Sequence, residues 1–253
     1  EGNPGNNLIA RVPEIQKVFG DPKVNGALTG ILGPGYYMHP HRHCHYRPPR
    51  SEGQMIHKDS FTKRRHRTRW VLAFYYPQDT TVDMGPTAVM PGSHYYNWFR
   101  GPKGLRSRVE GTEGEVPLQV GAGTVVLVHY DIWHRGMANT SDKKRYMVKV
   151  MFTRIEEPTA PSWTNSDEHW DGGVSNPLRG ACQAMWDWHR GSQNRGNGVG
   201  ARGFAEIMGL ATRLRGDDES TCLNATYSLA ELGDAAVPAL VDAMKGEPDA
   251  VRL

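Results

Sequence analysis

Between Gln54 and Arg154 the apolar residues fall in short runs, and glycine or proline interrupts the chain between them. This punctuation constrains the fold more than any other feature. Arg69 to Tyr76 is rich in aromatic and β-branched residues and stops at Pro77. Thr87 to Met90 sits between Gly85-Pro86 and Pro91-Gly92. Val116 to Val120 and Thr124 to His129 flank Gly121-Ala122-Gly123, and Tyr146 to Thr153 is a further run. Such residues fit a pleated, half-buried surface, and segments this short are strands. Short strands joined by glycine and proline turns predict a mainly β sandwich or barrel and exclude alternating βα units.

Helical segments flank this region. Val12 to Leu32 is broken by Gly20-Asp21-Pro22, where Asp21 reads as an N-cap and Pro22 as the first helical residue. Gly33-Pro34-Gly35 then ends the helix. After Gly200 the chain is helical and repeats: Leu210, Leu214, Gly216 and Leu223 are matched by Leu240, Met244, Gly246 and Leu253. A repeat of that length built from helix pairs resembles a HEAT-type solenoid, here with too few repeats to bury a continuous core. The predicted division is therefore residues 1–199 and 200–253, and the natural protein is expected to continue beyond both ends.

Composition narrows the function classes. The 253 residues are 38% hydrophobic and 23% charged, as in a soluble globular chain. No apolar run is long enough to span a bilayer. A net charge of +3 is too small to indicate nucleic acid. Cys44, Cys182 and Cys222 are odd in number and widely spaced, which points to thiols in a reducing, cytoplasmic compartment.

The chemistry is concentrated in a few side chains. His57-Lys58-Asp59 follows an expected strand over 54–57, and two ligands placed two apart on a strand share a face. His134 lies after the Thr124 to His129 run. Two imidazoles and one carboxylate leave positions open on iron(II) for a chelating co-substrate and O2. Arg145, at the start of the next strand, has the fork geometry to clamp a carboxylate bidentately.

Several motifs occur in a telling order: Met55-Ile56-His57-Lys58-Asp59, Gly85-Pro86-Thr87-Ala88-Val89-Met90-Pro91-Gly92-Ser93-His94, Gly123-Thr124-Val125-Val126-Leu127-Val128-His129, Trp133-His134-Arg135-Gly136, Asn139-Thr140-Ser141 and Arg145. In that order they resemble the phytanoyl-CoA dioxygenase family, across roughly residues 20 to 155. The resemblance implies a double-stranded β-helix, a jelly-roll-like barrel. It implies iron(II) on His57, Asp59 and His134, and 2-oxoglutarate with its distal carboxylate on Arg145. Phe74 stands where the family carries an aromatic residue near 2-oxoglutarate. The implied reaction uses O2 to hydroxylate an unactivated C–H bond, releasing succinate and CO2. Related halogenases carry a small residue in place of the carboxylate, so Asp59 favours hydroxylation. The alternative is an oxygenase fold reused as a scaffold, binding a protein partner through the helical repeats.

Two further clusters bear on the substrate. His39, His41, His43 and His45 alternate, and on a strand they would line one face. They are expected to form a polar wall at the mouth of the site, with His43 and His45 facing substrate, or a solvated loop, and a second metal is the lesser reading. Pro40 argues against a regular strand where the run begins. Lys63 to Arg69, including Arg64 and Arg65, lies close to Asp59; it points to a small-molecule substrate with an anionic group, and the alternative is a solvated loop.

Overall fold

In the computed structural model of the chain, the described residues are 5–59, 66–96, 114–164, 167, 170–172, 178–192, 203–216 and 218–246. The chain divides into two compact units, residues 1–157 and 158–253.

The first unit opens with three helices, α1 (Leu8–Arg11), α2 (Ile15–Phe19) and α3 (Pro22–Leu32). The Asp21 carboxylate accepts from the Lys23 amide at 2.9 Å, satisfying a backbone donor that the first turn leaves without a partner. Gly33, at φ 81°, ends α3 in a conformation that favours glycine.

Seven strands follow among the described residues: β1 (Tyr37–Arg47), β2 (Trp70–Tyr76), β3 (Thr87–Val89), β4 (Val116–Pro117), β5 (Thr124–His129), β6 (His134–Gly136) and β7 (Arg145–Thr153). They form two antiparallel sheets, ordered β1-β7-β2-β5 and β4-β3-β6.

Alternation along the strands divides the larger sheet into two faces. Val71, Ala73, Val148, Val150 and Phe152 pack with Leu8, Phe19, Leu28 and Leu32 from the helices. Leu72, Phe74, Tyr76, Met147 and Met151 form a separate core on the other face. Arg145 and Lys149 share the parity of Met147 and Met151 along β7. They therefore project on this second face.

Three expectations change. The 54–57 segment is not a strand. It runs beside β6 with backbone bonds at Ser51, Gln54 and His57 only, to Asn139, Gly136 and His134. Contacts at every third residue do not make a regular ladder. The run predicted from Val116 to Val120 keeps strand pairing only over Val116–Pro117, while Val120 forms an isolated bridge to Thr80. Conversely, the histidine run does form a strand despite Pro40. β1 is an edge strand, and its register slips between Met38 and Arg42, the setting in which a ladder tolerates proline.

The second unit contains α4 (Arg179–His189), α5 (Phe204–Arg213), α6 (Glu219–Glu231) and α7 (Val237–Gly246). Ile207, Leu210, Ala225, Leu229 and Ala239 form its core. α4 packs against α6, and the Gly180 amide donates to Asn224 Oδ1 at 3.1 Å. α4 thus belongs with the helices after it, in the compact unit of residues 158–253. Leu253, the last residue of the predicted repeat, lies outside the described residues. No helix among them is long and apolar enough to cross a membrane. Cys44, Cys182 and Cys222 carry thiols, not disulfides.

Candidate metal centre and co-substrate cavity

His134 enters the site from β6, which pairs with β3 on one side (Val89 opposite His134). On its other side lies His57. The two residues exchange both backbone bonds, each N–H to the other's carbonyl at 2.9 Å. Ring orientation is then set locally. His57 Nδ1 donates to the Met55 carbonyl at 2.9 Å, and His134 Nδ1 donates to the Ile132 carbonyl at 3.0 Å. A carbonyl can only accept, so each Nδ1 carries a proton, and Nε2 is the atom through which the neutral ring can bind a metal.

Both Nε2 atoms meet Asp59. His57 Nε2 lies 3.6 Å from Oδ1, and His134 Nε2 lies 3.8 Å from Oδ2. One ligand atom from each of the three residues lies within 4.8 Å of the other two. The Tyr130 hydroxyl donates to the Asp59 backbone carbonyl at 3.1 Å, pinning the residue that precedes an undescribed stretch. Among the described residues this is the one group of His, Cys, Asp or Glu side chains close enough to hold a metal ion.

Electrostatics agree with the geometry. Burial raises the Asp59 pKa, but the neighbouring His57 and the charge of Lys149 outweigh it and hold the carboxyl far below its usual range. His57 is raised, chiefly by Asp59, while burial lowers His134. Asp59 is thus ionised and His134 favours the neutral form, the states in which each binds a cation. Two imidazole Nε2 atoms and one carboxylate suit non-haem iron(II), with open positions for a chelating co-substrate.

A cavity of about 180 Å³ opens beside these residues. Phe74 lines it, fully buried and with its ring 6.2 Å from that of His134. Arg145 lines it too, 2% exposed. Nε and Nη2 of Arg145 donate to the Gly85 carbonyl at 3.1 and 2.7 Å. Desolvation pulls the Arg145 pKa down to about 10, still far above neutrality, so the guanidinium stays charged in a buried place.

His45 also borders the cavity. His43 is register-paired with Lys149 of β7, and its ring lies 4.5 Å from His41 and 6.3 Å from His45. Of the histidine run, His45 alone lines the cavity among the described residues. No metal-binding group arises from the run among the described residues. Lys63, Arg64 and Arg65 lie outside the described residues.

Sequence reasoning missed Lys149. Its Nζ lies 2.7 Å from Asp59 Oδ2, and the residue is 7% exposed. The signal was present: a lysine inside the apolar run Met147-Val148-Lys149-Val150-Met151, sharing the face of Arg145. Gly85 was read only as a turn, and its carbonyl role could not be inferred from residue type.

A model of the phytanoyl-CoA dioxygenase (PhyH) family matches residues 6–147, more than half of the chain and every residue of the metal group. The chain belongs to the phytanoyl-CoA dioxygenase family. The expected family is thereby established.

Among solved structures, this family member is similar to the non-heme monooxygenase ThoJ in a nickel complex, with 19% identity over 53% of this chain and 50% of that one, TM-score 0.43. Another is EctD from S. alaskensis with bound Fe, at 20% identity over 57% and 54%, TM-score 0.44. A third is HygX from Streptomyces hygroscopicus with nickel and 2-oxoglutarate bound, at 16% over 66% and 75%, TM-score 0.48. The aligned region spans about half the length of ThoJ and EctD. No curated protein matches this chain.

Proposed function

We propose that this chain is a 2-oxoglutarate-dependent iron(II) dioxygenase that hydroxylates an unactivated C–H bond of a small molecule bearing an anionic group. The observation that carries this reading is the convergence of His57 Nε2, His134 Nε2 and an Asp59 oxygen, with both imidazole tautomers fixed by backbone carbonyls. In this reading the two sheets are the faces of a double-stranded β-helix, and the helical tail is a HEAT-like repeat suited to a protein partner. The complete donor set beside a buried arginine counts against a pure scaffold.

Iron(II) held by the three side chains would supply the O2 chemistry that converts 2-oxoglutarate and the substrate C–H to succinate, CO2 and the C–OH product. The chain's own residues do the rest. Arg145 holds the distal carboxylate of 2-oxoglutarate, and the two hydrogen bonds it donates to the Gly85 carbonyl orient the fork. Phe74 fills one wall and keeps water from the buried face of the cavity. His43 and His45 face the substrate from β1, and the segment containing Arg64 and Arg65 draws the anion toward the mouth.

Anaerobic titration of the protein with iron(II) and 2-oxoglutarate tests the reading. A weak visible charge-transfer band should appear at one iron per chain, and it should be absent in Asp59→Ala and His134→Ala. An unchanged band in both variants, or none in the native chain, overturns the assignment.

A further inference from the structure

Lys149 sits in the interior with an ammonium group that the reading above does not use. It is 7% exposed, and its Nζ makes its 2.7 Å contact with Asp59 Oδ2, the oxygen that also faces His134. Among the described residues lining the cavity, Arg47, Arg145 and Lys149 are cations and Asp59 is the one carboxylate. Arg47 is half-buried and donates to the Glu52 carbonyl at the rim, so the internal imbalance falls on Arg145 and Lys149.

Charge accounting then separates the two. Arg145 is matched by the distal carboxylate of 2-oxoglutarate. Lys149 shares its carboxylate with the metal group, and a divalent cation on Asp59 withdraws the charge that Lys149 relies on. The other carboxylate of 2-oxoglutarate, beside its keto group, belongs to the metal as well. A buried ammonium left without a counter-charge is costly. What faces Lys149 from β1 is His43, its register partner, in line with His41 and His45, none of them acidic. From β2, Phe74 is its register partner. Among the described residues the surroundings supply no second anion, and a ligand can.

Resting on the metal assignment above, we propose that Lys149 is the residue that recognises the substrate, through an oxyanion (carboxylate, phosphate or sulfate) that replaces Asp59 as its partner once Asp59 is committed to the metal. Metal loading and substrate recognition are thereby coupled. The ammonium opposes the metal until an anion takes it up, and the anion finds a receptor only beside a loaded site. The substrate is then one whose oxidised carbon lies a short distance from an anionic group, because Lys149 reaches an oxygen of the metal-binding carboxylate itself.

Two titrations test this without turnover, using nickel(II) as a redox-inert metal. In the first, nickel(II) is titrated calorimetrically into native, Lys149→Met and Lys149→Gln proteins. Removing the competing cation should tighten nickel binding by about tenfold. Equal or weaker binding in the variants makes Lys149 a support for Asp59 and overturns the proposal.

In the second, sulfate is titrated into protein loaded with nickel(II) and 2-oxoglutarate, at constant ionic strength held with sodium chloride. Native protein and Lys149→Arg should bind one sulfate per chain, and Lys149→Met and Lys149→Gln should lose at least about tenfold in affinity. Sulfate binding that ignores Lys149, or no saturable binding to native protein, overturns the proposal. Thermal melting of each variant checks folding, and the two replacements keep the test open if one of them fails to fold. Failure of nickel(II) to bind native protein, or equal binding to Asp59→Ala, would instead reject the metal assignment.

Discussion

Asp59 faces His57, His134 and Lys149 at once, and those three contacts explain why its carboxyl is ionised although partly buried. Arg145 presents the complementary case, a buried cation with a neutral carbonyl for company. Truncating one member of a buried charge-assisted pair costs about 2–5 kcal/mol. Arg145→Ala should therefore raise the dissociation constant for 2-oxoglutarate by at least about tenfold, while nickel(II) still binds. Equilibrium titration of both ligands reads the two effects separately, and an unchanged 2-oxoglutarate constant would move the anchor elsewhere. Residue types in order were enough to single out His57, Asp59, His134 and Arg145, because a metal and a carboxylate demand those types whatever the backbone does. Lys149 escaped notice because no spacing rule links it to Asp59, ninety positions away. Only the fold brings them together.

At the scale of elements, β5, β7 and α3 were readable because each carries its own signal: a valine-rich run after a glycine turn, an apolar run with β-branched residues, and an Asp-Pro helix start. The 54–57 segment and β1 were misread for one reason. Each depends on pairing with a distant partner, and local sequence does not encode which edge or bulge a strand will occupy. The turn at Gly85 shows how closely such partners meet. Gly85 has φ 68°, and a Cβ there would stand 2.6 Å from the Met137 carbonyl oxygen and 2.9 Å from backbone atoms of Ala138 and Asn139. Backbone cannot yield as a side-chain tip does. Gly85→Ala should cost about 1–3 kcal/mol in stability. It should also weaken 2-oxoglutarate binding, since the displaced carbonyl is the one that orients Arg145. Chemical denaturation and co-substrate titration of the variant measure both, and a variant with native stability and native affinity would refute the packing argument.

Across the whole chain, every residue assigned to the metal or to 2-oxoglutarate falls within residues 1–157, and none within 158–253. A chain ending at Glu157 should therefore bind nickel(II) with the affinity of the full chain, as read by calorimetry. A folded truncation that no longer binds would show that the helical unit contributes to the site. The bridge between His57 and His134 spans 77 positions (134 − 57), and it is made of backbone alone. Bringing two points that far apart together in a flexible chain costs about 4 kcal/mol of closure entropy. The backbone bridge itself meets that cost, so the two imidazoles are held side by side by the fold. A metal's affinity then reflects bond strength and charge, with little chain ordering to subtract. Exchanging one divalent ion for another should leave the amides of His57 and His134 equally slow to exchange their hydrogens with solvent.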